Sequence, residues 1–541
     1  MLSLWYTSDA PRRRLSDTAC HDLGIDAIVK ALSDDREEQR IIADHLSEMT
    51  ADAHTAQYRS GIFADVYRLP QLRERLTELF GRIEYLSDYG MRAKNTGERL
   101  GIWYLLHRLD ELSSYISCIE AIRDSLTDAD IRSEGLIALR DYVTSVYGEK
   151  HFAEMKADIA ALREKTSGIR SVTLGINLND RFEAVSMGLV SVNSKPYRKS
   201  GVVGTFADAI AGDRINDDLD STDMRFHQVY SMVDTDRLGR ERIISRTIAN
   251  IREGDEMRSS TYHLNETMSR MIDRLIKVLS ETLAKYVNVA VMDIKSVMPE
   301  FMFYIRGAEF IGKMRQKGHT FCAPVTGSIP MDAKGLYDLR LALETDEGIV
   351  PNDLVFDAEH TVYILTGANR GGKTTLTQAV GLLFVMAQAG LDVPADSFSY
   401  SPVDCIYTHF PADEDKTLDL GRLGEECVRF REIWSECTAD SLVLLNETFS
   451  TTSFEEGLYI AKDAVKALAA RGVRTVYNTH MHKLAKDADG LSSDRHKAVS
   501  LVVRTENGSR LYKAVIAPPE GSSFARDIAE KYGVTYEKLM G

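Results

Sequence analysis

The sequence predicts a multidomain chain: a mainly α-helical N-terminal region carrying a small β-hairpin module, followed by an α/β domain with a parallel sheet and a phosphate-binding loop. Three observations carry this prediction. Apolar residues recur at helical spacing up to about residue 330. One alternating stretch, 171–193, interrupts them. From about Gly335, short apolar strands alternate with helices around a single glycine-rich segment.

Length and composition bound the rest. With 541 residues, 44% hydrophobic and 27% charged, the chain can fill several cores and is not a disordered polymer. Lys+Arg 66 against Asp+Glu 81 gives a net charge of −15, so no global positive field draws it to nucleic acid or anionic lipid. Any DNA contact has to be local. The six cysteines include no C-x-x-C pair, which fits reduced thiols in a cytoplasmic protein better than a disulfide framework or a cysteine zinc site. The apolar start, Met1 to Tyr6, precedes Arg12-Arg13-Arg14, the reverse of signal-peptide order. The longest apolar stretch, Gly381 to Ala389, is too short for a bilayer, which needs about 20 residues. No membrane partner is expected.

In chain order, Leu72, Leu76, Leu79, Ile83 and Leu86 fall on one face of a helix beginning just after Pro70. Leu105, Leu109, Leu112, Ile116, Ile119 and Ile122 define a second, and Met268, Met271, Ile272, Leu275, Leu279, Leu283 and Tyr286 a third. All three stripes are expected to be core. Ser171 to Leu178 alternates, Asn179-Asp180 turns, and Phe182 to Val192 is rich in β-formers, which predicts a hairpin. It leads into the basic loop Lys195-Pro196-Tyr197-Arg198-Lys199 and then the acidic 212–222. The expected division is a helical core in two parts, 1–145 and 261–330, around a lever or clamp-like insertion, 146–260, with the α/β domain at 335–541. Its best strands are Thr361–Leu365, Ser441–Leu445 and Arg474–Asn478.

The chemistry concentrates in that last domain. Gly367-Ala368-Asn369-Arg370-Gly371-Gly372-Lys373-Thr374 satisfies G-x-x-x-x-G-K-[ST] between a strand and a helix. Backbone N–H groups and the helix N-terminus then converge on a phosphate. Lys373 is expected to pair with β/γ-phosphate oxygens and Thr374, followed by Thr375, to offer its hydroxyl to Mg²⁺. Leu442 to Glu447 has the form of a Walker B strand, four apolar residues ending in two polar ones. Asn446 stands where Mg²⁺ is supported, and being neutral it acts through a metal-bound water; Glu447 is the candidate base. His480, ending a third strand, is placed to hydrogen-bond a γ-phosphate or its water.

Together these residues resemble the ATPase domain of the MutS family, within the ABC class of P-loop ATPases. Thr366 to Thr375 is TGANRGGKTT where the family is close to TGPNMGGKST. Met386 to Tyr407 (MAQAGLDVPADSFSYSPVDCIY) is similar to its MAQ-G-x-x-VPA segment and the P-V-D run that follows. Asn446 to Gly457 (NETFSTTSFEEG) has the length and position of its DE-x-x-RGT segment, and Asn478-Thr479-His480 matches its A-T-H switch histidine. The match covers 335–541; Ser171 to Asn193 and the helical segments resemble the core and lever domains more weakly. The sequence also departs from the family: Asn446 replaces Asp, Ser450-Thr451 replaces Arg-Gly, and Gly421-Arg422 stand in the signature segment that faces a partner's nucleotide. The sequence opens in helical, core-like residues, so direct mismatch recognition is not expected of it.

The resemblance implies ATP and Mg²⁺ as cofactors, slow ATP hydrolysis because of Asn446, and a dimeric clamp, a homodimer by expectation, that closes on double-stranded or branched DNA. Lys195, Arg198 and Lys199 around Tyr197 are the local support for DNA. The alternative is an ATP-dependent conformational switch that binds a protein partner and no DNA, which the acidic balance favours.

Overall fold

The computed structural model describes residues 3–7, 10–78, 102–167, 171–178, 180, 184–193, 228–231, 233–235, 241–243, 248–250, 273–286, 292–345, 348–368, 370–411, 421–506, 509–519, 530 and 532–540. Packing divides the chain into two compact units. One is Met1–Thr77, Leu126–Arg140 and Lys295–Gly541; the other is Glu78–Ser125 and Asp141–Ile294.

The second unit holds the long helix expected from its leucine spacing, Ile102–Thr127, with Leu105, Leu109, Leu112, Ile116, Ile119 and Ile122 buried. Helix Lys150–Ser167 is joined to it by an Arg163–Asp110 ion pair of 2.8 Å and a Lys156–Glu120 pair. In helix Asp273–Ala284, Leu279 and Leu283 are buried. The hairpin forms as Ser171–Leu178 paired antiparallel with Ala184–Asn193, whose other edge takes Gln228–Ser231 and Ile248–Asn250. The basic loop 195–199, the segment 212–222, Met268, Met271 and Ile272 lie outside the described residues, as do Leu79, Ile83 and Leu86 of the first stripe.

In the first unit, helices Asp17–Leu23, Arg36–Leu46 and Ala53–Arg68 begin where a side chain caps free N–H groups. Ser16 accepts from Ala19 at 3.1 Å, Asp35 from Glu37 and Glu38 at 2.8 and 2.9 Å, and Asp52 from Thr55 at 3.0 Å. All three pack against the helix Lys373–Ala389, whose apolar residues are buried all round. Fully buried Arg59 donates to the Gln388 carbonyl at 2.8 Å, which places a cation at that helix's C-terminus. The Gln388 amide in turn donates to Thr50 O and Val403 O, both at 2.9 Å.

From Val325 onward the chain builds two sheets and the helices between their strands. Strands β1 (Val325–Thr326), β2 (Met331–Leu336), β3 (Asn352–Phe356) and β5 (Ser397–Tyr400) form a four-stranded sheet of order β3-β2-β5-β1. Strands β4 (His360–Gly367), β6 (Ile406–His409), β7 (Leu442–Asn446), β8 (Arg474–Asn478), β9 (Lys497–Glu506) and β10 (Ser509–Ile516) form a second, of order β6-β7-β8-β4-β9-β10. Every pairing in it is parallel except β9–β10. The helices are α1 (Leu339–Glu344), α2 (Lys373–Ala389), α3 (Gly421–Glu436), α4 (Phe454–Arg471), α5 (His482–Lys486) and α6 (Ala488–Leu491). All five residues of β7 and of β8 are buried, as an apolar strand covered on both faces requires. The register pairs Leu365 with Asn478 and Asn446 with Asn478. The C-terminal ends of β4, β7 and β8 therefore lie side by side, where open α/β sheets bind ligands.

Candidate functional site

The loop between β4 and α2 owes its path to residues with positive φ. Gly367 leaves β4 at φ +146°, where a Cβ would stand 3.0 Å from the Val503 carbonyl oxygen, so only glycine lets the chain pass β9 this closely. Arg370 at φ 58° and Gly372 at φ 89° then turn the chain into α2, with the Gly371 N–H donating to Ala368 O at 3.1 Å. Asn369 lies outside the described residues.

Lys373, 6% exposed, opens α2, and its Nζ donates to Gly367 O and Ala368 O, both at 3.2 Å. Burial lowers its pKa from the ordinary lysine value, and the charge of Glu447 opposes that shift. The next residue, Thr374, places its hydroxyl against the end of β7, donating to Asn446 Oδ1 at 3.3 Å. Asn478 at the end of β8 donates to that same hydroxyl at 3.2 Å and to Asn446 Oδ1. The buried Asn478 Oδ1 has no hydrogen-bond partner among the described residues.

Glu447 follows β7 at φ 53°, fixed by its N–H donating to Asn478 O at 2.9 Å. Its carboxylate accepts from the His480 N–H at 3.3 Å and lies 3.0 Å from His480 Nε2. Burial pushes the Glu447 pKa up, while Lys373 and the His480 N–H pull the other way. Burial, aided by Lys373 and His482, lowers His480 to about 4, which favours the neutral imidazole at neutral pH. Behind Glu447, Thr448 Oγ1 lies 3.2 Å from His409 Nδ1, and His409 Nε2 is 3.3 Å from the Glu426 carbonyl. The loop carrying Glu447 is thereby tied to α3, the helix that Gly421 and Arg422 begin.

These groups line one cleft of about 830 Å³, which contains Arg370, Gly371, Gly372, Lys373, Thr374, Thr375, Asn446, Glu447 and His480. Its other wall, absent from the sequence reading, includes Leu341, Ile349, Val350 and Tyr512. Asn352 builds that wall: its amide donates to Val350 O at 3.2 Å and Tyr512 O at 3.0 Å and accepts from Ala514 N–H at 2.7 Å. Tyr512 is held at φ 55°, with its ring 3.3 Å from where a Gly372 Cβ would lie. The cleft thus joins a polar end at the glycine-rich loop and strand ends to a wall of largely apolar side chains. Asn352 opens β3 directly after Pro351, but its partner Tyr512 is 160 residues away.

At the polar end the Thr374 hydroxyl, Asn446 Oδ1 and Asn478 Oδ1 are neutral oxygens, a donor set through which a divalent ion would be held by water-mediated contacts and not by charge. The strand ends contribute amides there and no carboxylate besides Glu447.

The fold and the loop together define an α/β domain with a glycine-rich loop and a cleft at its strand ends. Two family models match the chain, MutS domain V over residues 363–537 and the MutS2 N-terminal domain over residues 51–317. The chain belongs to the MutS family. It is 31% identical over 217 residues to DNA mismatch repair protein MutS 2 of Halobacterium salinarum, covering 40% of this chain and 25% of that one. It is 28% identical over 269 residues to Endonuclease MutS2 of a Geobacillus species, covering 49% and 32%. To DNA mismatch repair protein MutS of Symbiobacterium thermophilum it is 32% identical over 225 residues, covering 41% and 25%. The matches thus span a quarter to a third of these relatives' length. Among the described residues no helix is long and apolar enough to cross a membrane.

Proposed function

We propose that the chain binds ATP with Mg²⁺, hydrolyses it, and uses the bound state to switch a dimer that closes on double-stranded or branched DNA. The observation that carries this reading is the meeting of Lys373, Thr374, Asn446, Glu447 and His480, from three parallel strand ends, in one cleft. The N–H groups of Gly372 and Lys373 at the start of α2 cradle phosphate, and Lys373 turns from the Gly367 and Ala368 carbonyls to phosphate oxygens. Mg²⁺, when bound, neutralises charge on the phosphates. Glu447, made more basic by burial, takes a proton from the attacking water, and His480 holds that carboxylate in place through its backbone N–H. The relatives' names, mismatch repair protein and endonuclease, support DNA as the target.

The test is a salt series of binding to duplex and junction DNA, with ATP present and turnover blocked by Glu447→Ala. The reading expects ATP-dependent binding whose log K falls by roughly 0.9 per phosphate contact against log salt. Replacing Lys195, Arg198 and Lys199 by Ala is expected to flatten that slope. Absence of DNA binding at low salt, with ATP still bound, overturns the DNA reading in favour of a protein-binding switch, the reading that the net charge of −15 favours.

A further inference from the structure

The cleft has a charge balance unlike that of an ordinary Mg²⁺–triphosphate site. Where a carboxylate would support the ion, Asn446 and Asn478 form a neutral amide pair across β7 and β8 that already engages the Thr374 hydroxyl. Mg²⁺ favours carboxylate and water oxygens, so this pair offers it little electrostatic attraction. The glycine-rich loop carries a second cation besides Lys373. Arg370 lines the same cleft, is exposed, and makes no hydrogen bond or ion pair with another described residue. It stands at φ 58°, a conformation in which a non-glycine residue is uncommon and costs energy. A guanidinium offers planar, charge-assisted N–H donors suited to phosphate oxygens.

We propose that Arg370 is a second phosphate-binding cation, supplying charge that the Asn446–Asn478 pair does not recruit through a metal ion, so that this chain holds ATP with little dependence on Mg²⁺. This deepens the ATP reading above and rests on it. The loss of ionic support at the strand ends is offset by a fixed side-chain charge three residues before Lys373.

The test is equilibrium dialysis of ATP against the full chain, in Mg²⁺ and in EDTA, for the parent, Arg370→Met, Arg370→Lys and Asn446→Asp. Methionine keeps a straight chain without the charge and, unlike glycine, leaves the cost of positive φ in place. In the parent, affinity in EDTA is expected within about ten-fold of that in Mg²⁺. Arg370→Met should weaken binding in EDTA by about ten- to hundred-fold, the range of a charged hydrogen bond, and weaken it less in Mg²⁺. Arg370→Lys should recover part of that loss. Asn446→Asp should move the two affinities apart, tighter in Mg²⁺ and weaker in EDTA, because its carboxylate attracts the ion and repels bare phosphate. A parent that loses more than hundred-fold in EDTA, or an Arg370→Met chain with parental affinity in EDTA, overturns the proposal. Failure of the parent to bind ATP in either buffer overturns the ATP reading itself.

Discussion

Gly457 holds the loop of the candidate base where it is. It lies in the first turn of α4, and a Cβ there would sit inside van der Waals contact with the Phe449 carbonyl oxygen and 3.1 Å from Met481 Cε. Phe449 is two residues from Glu447, and both occupy positive φ, so the loop has little freedom to yield. Gly457→Ala therefore sets two effects against each other. Alanine in a helix gains up to about 1 kcal/mol over glycine. Overpacking a close contact costs about 1–3 kcal/mol, and here the obstructing atom is backbone. Packing should win, leaving the variant about 1–2 kcal/mol less stable in urea unfolding. Restoring an ordinary C···O separation requires the loop to move by roughly 1 Å, and misplacement of that size can lower kcat about 100-fold. ATP affinity should stay within about three-fold, because Lys373 and the glycine-rich loop are on other elements. A variant as stable as the parent, hydrolysing ATP at the parental rate, would refute the claim that this glycine positions Glu447.

Two further outcomes follow from the same geometry. Lys373→Ala is expected to weaken ATP binding by roughly 2–4 kcal/mol, about 30- to 1000-fold in equilibrium dialysis, with unfolding little changed because the lysine's folded-state partners are two loop carbonyls. His409, 1% exposed, has its pKa lowered by burial to about 4. The unfolded chain therefore takes up its proton first as pH falls. Stability contributed by keeping this ring neutral is complete above the unfolded value of about 6.5 and is lost toward pH 4 at about 1.4 kcal/mol per unit. His409→Gln should flatten that part of the pH–stability curve in urea melts; an unchanged slope would remove His409 as the titrating group.

Much of the local structure was legible in the sequence because it rests on short-range patterns. The leucine spacing gave Ile102–Thr127, and alternation gave the hairpin pairing of Ser171–Leu178 with Ala184–Asn193. The glycine-rich segment predicted a strand, a loop and a helix, and β4, Gly367–Gly372 and α2 are that sequence of elements. What escaped depends on register and on long-range packing. Asn478 meets Asn446 because two parallel strands end level, a fact no local motif encodes. Tyr512 enters the cleft through an Asn352 amide 160 residues away. The packing of the first helices on α2 was equally hidden. It turns on Arg59, a residue normally exposed, which here is buried against the Gln388 carbonyl.

The central claim is that this cleft binds ATP and that Glu447 turns it over, and Glu447→Gln tests it most directly. Glutamine keeps the side-chain length and an oxygen to accept from the His480 N–H, but it is a far weaker base. Equilibrium dialysis and a phosphate-release assay on the same preparation should find parental ATP binding with turnover lowered about 10²–10⁴-fold. Parental turnover in the Glu447→Gln chain, or loss of ATP binding with the fold intact, would contradict the account.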